Sequence, residues 1–334
     1  MSVDYLLKPP VDKFDELNNL PTWSFLVESG QGRKVLFDLG IPKDLNVYPP
    51  TIVNDIKKHG WDIRVEKDIA DILRENGLKP IDIQSVIWSH YHFDHIGDMS
   101  TFPDTTDLVV GPGFKQKFRS AYPTDPDAPV RESYWEGRQL REIDFGDRES
   151  PLKVGSLCAF DFFGDGSFYL LDAPGHAVGH LAGLVRTTKN PDTFLFMGGD
   201  LCHHGGEIRP SSHLPIPDRV DIPLQDALRT RLSCCPGGAS FRRLNTRRGR
   251  KENEPFFESR LGANLTQVME TITKAQAADS QNSIFFIFAH DPTIRGVVDF
   301  YPAAANDWKR KGWREKTQWA FLRDLAPAAA AAAE

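Results

Sequence analysis

The chain has 334 residues, with 40 Lys plus Arg against 46 Asp plus Glu, a formal net charge of −6, 40% hydrophobic residues and four cysteines. That balance excludes an intrinsically disordered chain, and no apolar run approaches the roughly 18 residues that a membrane-spanning helix needs. A mildly acidic chain also lacks the general attraction for nucleic acid that a basic one has, so neither nucleic acid nor membrane is expected as a partner. Four cysteines, two of them adjacent at Cys234 and Cys235, make no disulfide framework, and the opening MSVDYLLKPPVDKF has no secretory pattern. The expectation is a cytoplasmic protein.

In chain order, Ser24 to Val27, the turn Gly30-Gln31-Gly32 and Lys34 to Leu39 read as a hairpin. Val65, Ile69, Ile72 and Leu73 share one helical face, which Gly77 and Pro80 bring to an end. Ser85 to Ser89 is apolar on both faces, as a buried strand should be. Further strands are expected at Leu157 to Phe163, Phe168 to Asp172, Leu181 to Thr187, Thr193 to Met197 and Ile284 to Ala289. An amphipathic helix is expected over Arg260 to Ala277. The stretches 122–151 and 210–255 are rich in Pro, charge and turn residues and read as insertions over a site. One domain over 1–327 is expected, with 328–334 as a frayed tail.

Chemistry concentrates where the buried strand ends. His90-x-His92-x-Asp94-His95 packs three imidazoles and a carboxylate into six residues. In extended chain, i and i+2 point the same way, so His90 and His92 can converge on one ion while the following turn swings Asp94 and His95 toward a second. Burying four such groups unpaired would cost several kcal/mol, which packing alone does not offset. His176, Asp200 and His290 each follow a β-like run. Together the seven residues can line two nitrogen- and oxygen-rich ion sites, with Asp200 able to bridge them.

The segments Leu36 to Gly40, Ser89 to Gly97, Ala173 to His180, Gly199-Asp200 and Ala289-His290 resemble, in order, the motifs of metallo-β-lactamase-fold hydrolases. The resemblance spans about Pro21 to His290. It implies an α/β fold, the αββα four-layer sandwich, with a dinuclear site at the strand ends. By motif position His90, His92 and His176 would bind one metal, Asp94, His95 and His290 the other, and Asp200 both. The run from Asn76 to His95 is most similar to the lactonase-like branch, which includes quorum-quenching homoserine lactonases. Asp200-Leu201-Cys202-His203-His204 and the long insertions also resemble fungal members that open the γ-lactam ring of benzoxazolinones. Those lactonases carry a Tyr three residues after the bridging Asp, where this chain has His203.

The resemblance therefore implies a hydrolase that opens a small cyclic amide or ester. Two divalent ions, zinc first with manganese or iron also suited, would lower the pKa of a shared water and polarise a ring carbonyl. Asp94 and His203 are the candidate catalytic residues, His203 as donor to the leaving atom, and Phe93 with His203 the candidate substrate contacts. The partner is a small cyclic molecule, and the oligomeric state is open, a homodimer included. Thioester hydrolysis of the glyoxalase II kind, or persulfide dioxygenation at a single iron, remain the alternatives. Cys202 reads as a packed thiol and His180 as a support for ligands rather than a ligand. The seven basic residues from Arg231 to Lys251 read as a solvated, mobile loop. Trp308, Trp313, Trp319 and Phe321 are expected to pack the C-terminal segment.

Overall fold

A computed structural model describes residues 1–146, 151–220 and 237–332. The chain divides into two compact units, a central one (Thr22–Val185 and Met197–Asp200) and a terminal one (Met1–Pro21, Arg186–Phe196 and Leu201–Glu334). The terminal unit contains the first short strand, β1 (Leu7–Lys8).

The central unit begins with the expected hairpin, β2 (Phe25–Glu28) and β3 (Lys34–Phe37), paired antiparallel from Phe25↔Phe37 to Glu28↔Lys34. The Ser29 hydroxyl accepts the Gln31 and Arg33 amides and closes its turn. Parallel strands β4 (Ile83–Ile87), β5 (Asp107–Val110) and β6 (Leu140–Glu142) complete the order β2-β3-β4-β5-β6. Before β4, the helix Ile69–Glu75 buries Ala70 and Leu73. It starts four residues later than the apolar pattern suggests, because Asp68 takes the N-cap position and its amide donates to the Asp71 carboxylate. Strands β7 (Lys153–Val154), β8 (Leu157–Asp161) and β9 (Phe168–Asp172) run antiparallel beside the first part of β10 (Leu181–Thr188). Strand β8 stops at Asp161, whose carboxylate accepts the Gly164 and Gly166 amides and turns the chain back.

These two sets of strands meet closely around Gly183. A Cβ there would lie 2.5 Å from the Met197 methyl, 3.2 Å from the Phe168 ring and 3.4 Å from the Phe37 ring. Only glycine lets these side chains fill the space.

In the terminal unit, β11 (Thr193–Met197, all but its last residue) lies between the end of β10 and β13 (Ile284–Ile287), while β12 (Glu258–Ser259) pairs with β1. The expected amphipathic helix is Leu265–Asp279, capped by Asn264, which accepts the Gln267 amide. A separate apolar core joins Val3, Leu6, Phe14, Phe241, Leu244, Phe257, Phe321, Leu322 and Ala329.

Three expectations are corrected here. Within 210–255, Gly238–Arg247 is a helix whose Phe241 and Leu244 enter that core, so this part is not the turn-rich stretch its composition suggests. Two of its arginines are tethered, Arg242 to the Ile216 carbonyl and the Asp218 carboxylate and Arg248, just past its end, to the Phe256 and Pro9 carbonyls, while Arg243 and Arg247 are exposed as expected. Residues 221–236, Arg231 among them, lie outside the described residues. The supposed tail is also structured, since Ala328, Ala329 and Ala332 are buried at the end of the helix Leu322–Ala331 and just beyond it. Alanine is the best helix former and its methyl packs without losing side-chain entropy, so an alanine run suits a helix face as well as a frayed end. Finally, 122–151 is no simple insertion. It contributes β6, and Arg138 binds the carbonyls of Met99, Phe102, Pro103 and Thr106. The C-terminal aromatics pack as expected, with Trp308, Trp313 and Phe321 buried.

Candidate metal centre

Strand β4 delivers the His-rich turn. Its ladder ends at Ile87, and the Ser89 amide donates instead to Asp38 Oδ1 at 2.6 Å, with the Ser89 hydroxyl on Asp38 Oδ2 at 2.8 Å. Asp38 stands just after β3 in the left-handed region, φ 61°, so its carboxylate reaches across to the next strand end. Its Oδ2 also meets His95 Nδ1 at 2.9 Å. One carboxylate thus sets both the start and the end of the turn. His92 opens the single helical turn Phe93–Ile96, which carries Asp94 and His95 off the line of His90 and His92.

Within the central unit the turn meets His176 and Asp200. His90, His92, His176 and Asp200 offer ligand atoms all within 4.8 Å of one another. Asp200 Oδ2 lies 3.3 Å from His176 Nε2 and 3.8 Å from His90 Nε2, while its Oδ1 lies 3.1 Å from His95 Nε2. His95 Nε2 is in turn 3.8 Å from Asp94 Oδ1. The two oxygens of one carboxylate therefore face two different sets of donors. His176 Nε2 and His92 Nδ1 approach to 3.0 Å, a distance that two lone pairs do not hold without a proton or a cation between them.

This donor set fits a pair of divalent cations. His90 Nε2 is buried without a hydrogen bond among the described residues, an arrangement that costs free energy unless a further group meets it. Burial, then the imidazoles of His95, His92 and His176, push the His90 pKa well below its usual value, which leaves the ring neutral with a lone pair to give. For His95 burial acts downward, yet the carboxylates of Asp200, Asp94 and Asp38 outweigh it and raise the pKa well above the usual value. The same negative field favours a metal cation.

Around these residues stand supports of the kind that orient ligands. His180 Nδ1 faces the Ala173 carbonyl, which can only accept, so its Nε2 accepts the Asp200 amide at 3.0 Å. Burial takes the His180 pKa down to about 4 and keeps that tautomer neutral. Gly199, at φ 53°, lets the chain pass: a Cβ there would sit 2.9 Å from His180 Nε2 and 3.0 Å from the Ser89 Cβ. Phe93 is half-buried, stacked on Trp61 at 5.7 Å and edge-on to Tyr48, whose hydroxyl donates to the Phe93 carbonyl. Trp61 and Tyr48 carried no signal at the level of spacing, and Asp38 and Ser89 stood out only as parts of motifs.

His290 and His203 belong to the terminal unit. His290 Nδ1 lies 2.8 Å from the Pro21 carbonyl, which places the ring's lone pair on Nε2. His203 stacks on His290 with ring centres 5.8 Å apart and 12° between planes. Cys202 is buried, and burial pushes its thiol pKa well above the usual value, as expected for a packed thiol.

Residues 17–189 match the sequence model of the Metallo-beta-lactamase superfamily. The chain belongs to this superfamily. As a member of it, the protein is a hydrolase with the metallo-β-lactamase fold, the α/β class expected. It is 42% identical over 330 residues to the gamma-lactamase FDB1 of Fusarium pseudograminearum, covering 96% of this chain and 78% of that one. It is also 42% identical over 316 residues to the cytochrome P450 monooxygenase mpaDE of Penicillium roqueforti, covering 92% of this chain and 34% of that longer protein. In fold it is similar to a solved N-acyl homoserine lactone hydrolase with N-hexanoyl-L-homoserine at its catalytic metal center. There the TM-score is 0.53, with 16% identity, 86% of this chain and 88% of that chain. Among the described residues no helix is long and apolar enough to cross a membrane.

Proposed function

We propose that this hydrolase opens a small cyclic amide or ester, a γ-lactam before a lactone, at two divalent ions, with zinc the first candidate. The observation that carries this reading is the division of the Asp200 carboxylate, Oδ2 toward His176 and His90, Oδ1 toward His95. His90, His92 and His176 would hold one ion and Asp94, His95 and His290 the other, with Asp200 shared. Motif position and the tautomer set by Pro21 support the assignment of His290. When bound, two such ions polarise a ring carbonyl and activate water near neutral pH.

The residues of the chain supply the rest. Asp38 and His180 hold His95 and Asp200 in place through hydrogen bonds of 2.9 and 3.0 Å. Phe93 and Trp61 supply an apolar wall beside His92 and Asp94. His203 donates a proton to the leaving atom, which an amide nitrogen needs more than an ester oxygen does. The preference for a γ-lactam rests on that residue and on the likeness to the Fusarium gamma-lactamase.

The test is elemental analysis of the purified protein, followed by turnover of 2-benzoxazolinone, an acyl homoserine lactone, a glutathione thioester and glutathione persulfide. Two ions per chain, with lactam turnover abolished by chelation and restored by zinc, are expected. Turnover of the thioester alone, or of the persulfide at a single iron, would overturn the proposal.

A further inference from the structure

The terminal unit buries a carboxylate that the chemistry above leaves unused. Glu207 is fully buried, at the third position of the single helical turn Gly205–Ile208. Its Oε2 accepts two consecutive amides, His203 at 2.6 Å and His204 at 3.0 Å. The bond to the His204 amide belongs to a capping box, in which the His204 ring in turn accepts the Gly206 amide at 3.0 Å. The bond to His203 goes beyond the cap. It comes with a third approach, since the same Oε2 lies 3.9 Å from His203 Nδ1. The other oxygen, Oε1, is buried without a hydrogen bond among the described residues.

A helix cap alone does not call for this arrangement. A glutamine would accept the same amides, and a buried carboxylate with one bare oxygen is costly. Burial accordingly pushes the Glu207 pKa up, while His203 and then His204 act against it. On its face the His203 ring lies against His290, and at its Nδ1 edge it meets Glu207. The neighbouring imidazole, His204, is directed elsewhere, its Nε2 lying 3.3 Å from Asp324 Oδ2.

We infer that Glu207 is a positioning residue for His203: it pins the His203 amide and sets its charge 3.9 Å from the Nδ1 edge of the ring, so that Nε2 is the nitrogen presented to the leaving atom. The inference rests on the reading of His203 as proton donor. A group that orients a catalytic imidazole shows its effect in kcat and only through that imidazole.

The experiment measures kcat, KM, bound metal and thermal midpoint with 2-benzoxazolinone for Glu207→Gln, Glu207→Ala, His203→Ala and the double variant Glu207→Gln/His203→Ala. Glu207→Gln is expected to keep its metal and midpoint and to lose roughly tenfold in kcat at unchanged KM, the lower end of what orienting partners cost. Glu207→Ala should lose more than Glu207→Gln. In the His203→Ala background, Glu207→Gln should cost nothing further. Wild-type kcat in Glu207→Gln, or the same loss with and without His203, overturns the positioning role while leaving His203 in place. Should Glu207→Ala fail to fold, the Gln variant and its pairing with His203→Ala still decide. Full kcat in His203→Ala would instead sink the proton-donor reading, and Glu207 with it.

Discussion

The turn 90–95 and the segment 203–207 both bury histidines beyond the end of a strand, and they satisfy them in opposite ways. In the first, imidazoles face imidazoles: the His90 ring centre lies 4.2 Å from His95, 4.5 Å from His92 and 4.7 Å from His176. In the second, His204 is matched to the Gly206 amide and the Asp324 carboxylate, and the His203 Nδ1 edge lies 3.9 Å from the Glu207 carboxylate. Rings that face one another gather lone pairs, which a cation can satisfy and a protein interior cannot. A ring held between an amide and a carboxylate, as His204 is, is satisfied by the chain itself. The first region should therefore respond to metal, and the second to the loss of particular side chains.

The sharpest break of that contrast is Asp200→Ala, which removes the carboxylate facing both donor sets. Turnover should fall to the uncatalysed background and elemental analysis should show metal lost from both ions' sites, with the fold retained. If one full equivalent of metal and measurable turnover survived, Asp200 would not be the shared ligand. Next comes His203→Ala, in the second region. Here kcat should fall by about 10²- to 10⁴-fold on a lactam, the range of general acid–base groups, with metal content unchanged. A missing metal ion in that variant would move His203 into the ligand set.

The contrast extends to the packing beneath the second region. Phe241 is fully buried in the terminal unit's core, so Phe241→Ala should cost about 3–5 kcal/mol of stability by leaving a cavity. Activity per folded molecule should stay near wild type. Chemical denaturation paired with kinetics reads both, and a variant of normal stability with altered KM would instead favour the insertion-over-a-site reading of the helix Gly238–Arg247.

The two regions also differed in how readily the sequence disclosed them. The ligand turn was legible because its chemistry is local: the i, i+2 relation of His90 and His92 holds in any extended chain. Strands such as Phe168–Asp172 and Thr193–Met197 were legible as apolar runs, and their observed limits match. The helix Gly238–Arg247 was not, because Arg242, Arg243, Arg247 and Arg248 disguise the two apolar positions that matter, Phe241 and Leu244. Arginine reads as solvent, yet here its guanidinium groups end on backbone carbonyls such as those of Ile216 and Phe256. Glu207 left a faint trace, an acid three residues after His204, but a capping box beginning with histidine does not stand out. Trp61 lies 32 residues from Phe93, and only tertiary folding brings the rings together.

The smallest effect expected within the ligand region itself is at Asp38, which touches no ion. Asp38→Asn keeps the size and tolerates the left-handed backbone, φ 61°, at least as well. It changes the hydrogen-bond pattern. The carboxylate accepts from the Ser89 amide, the Ser89 hydroxyl and His95 Nδ1. An asparagine that keeps its oxygen on the Ser89 amide turns its NH₂ toward His95 Nδ1, which must then accept. That tautomer puts the proton on Nε2, the nitrogen 3.1 Å from Asp200, and a protonated nitrogen cannot bind a metal. Affinity at the second ion should fall by roughly 10- to 100-fold, as is typical when the partner behind a ligand is altered. The metal-free protein should lose little or no stability, because burial already pushes the Asp38 pKa up and disfavours its charge. Chelator competition and a thermal midpoint on the metal-free protein test the two halves separately. Unchanged affinity would mean that Asp38 only shapes the backbone, and a large drop in the metal-free midpoint would mean that the fold, rather than the ion, depends on its charge.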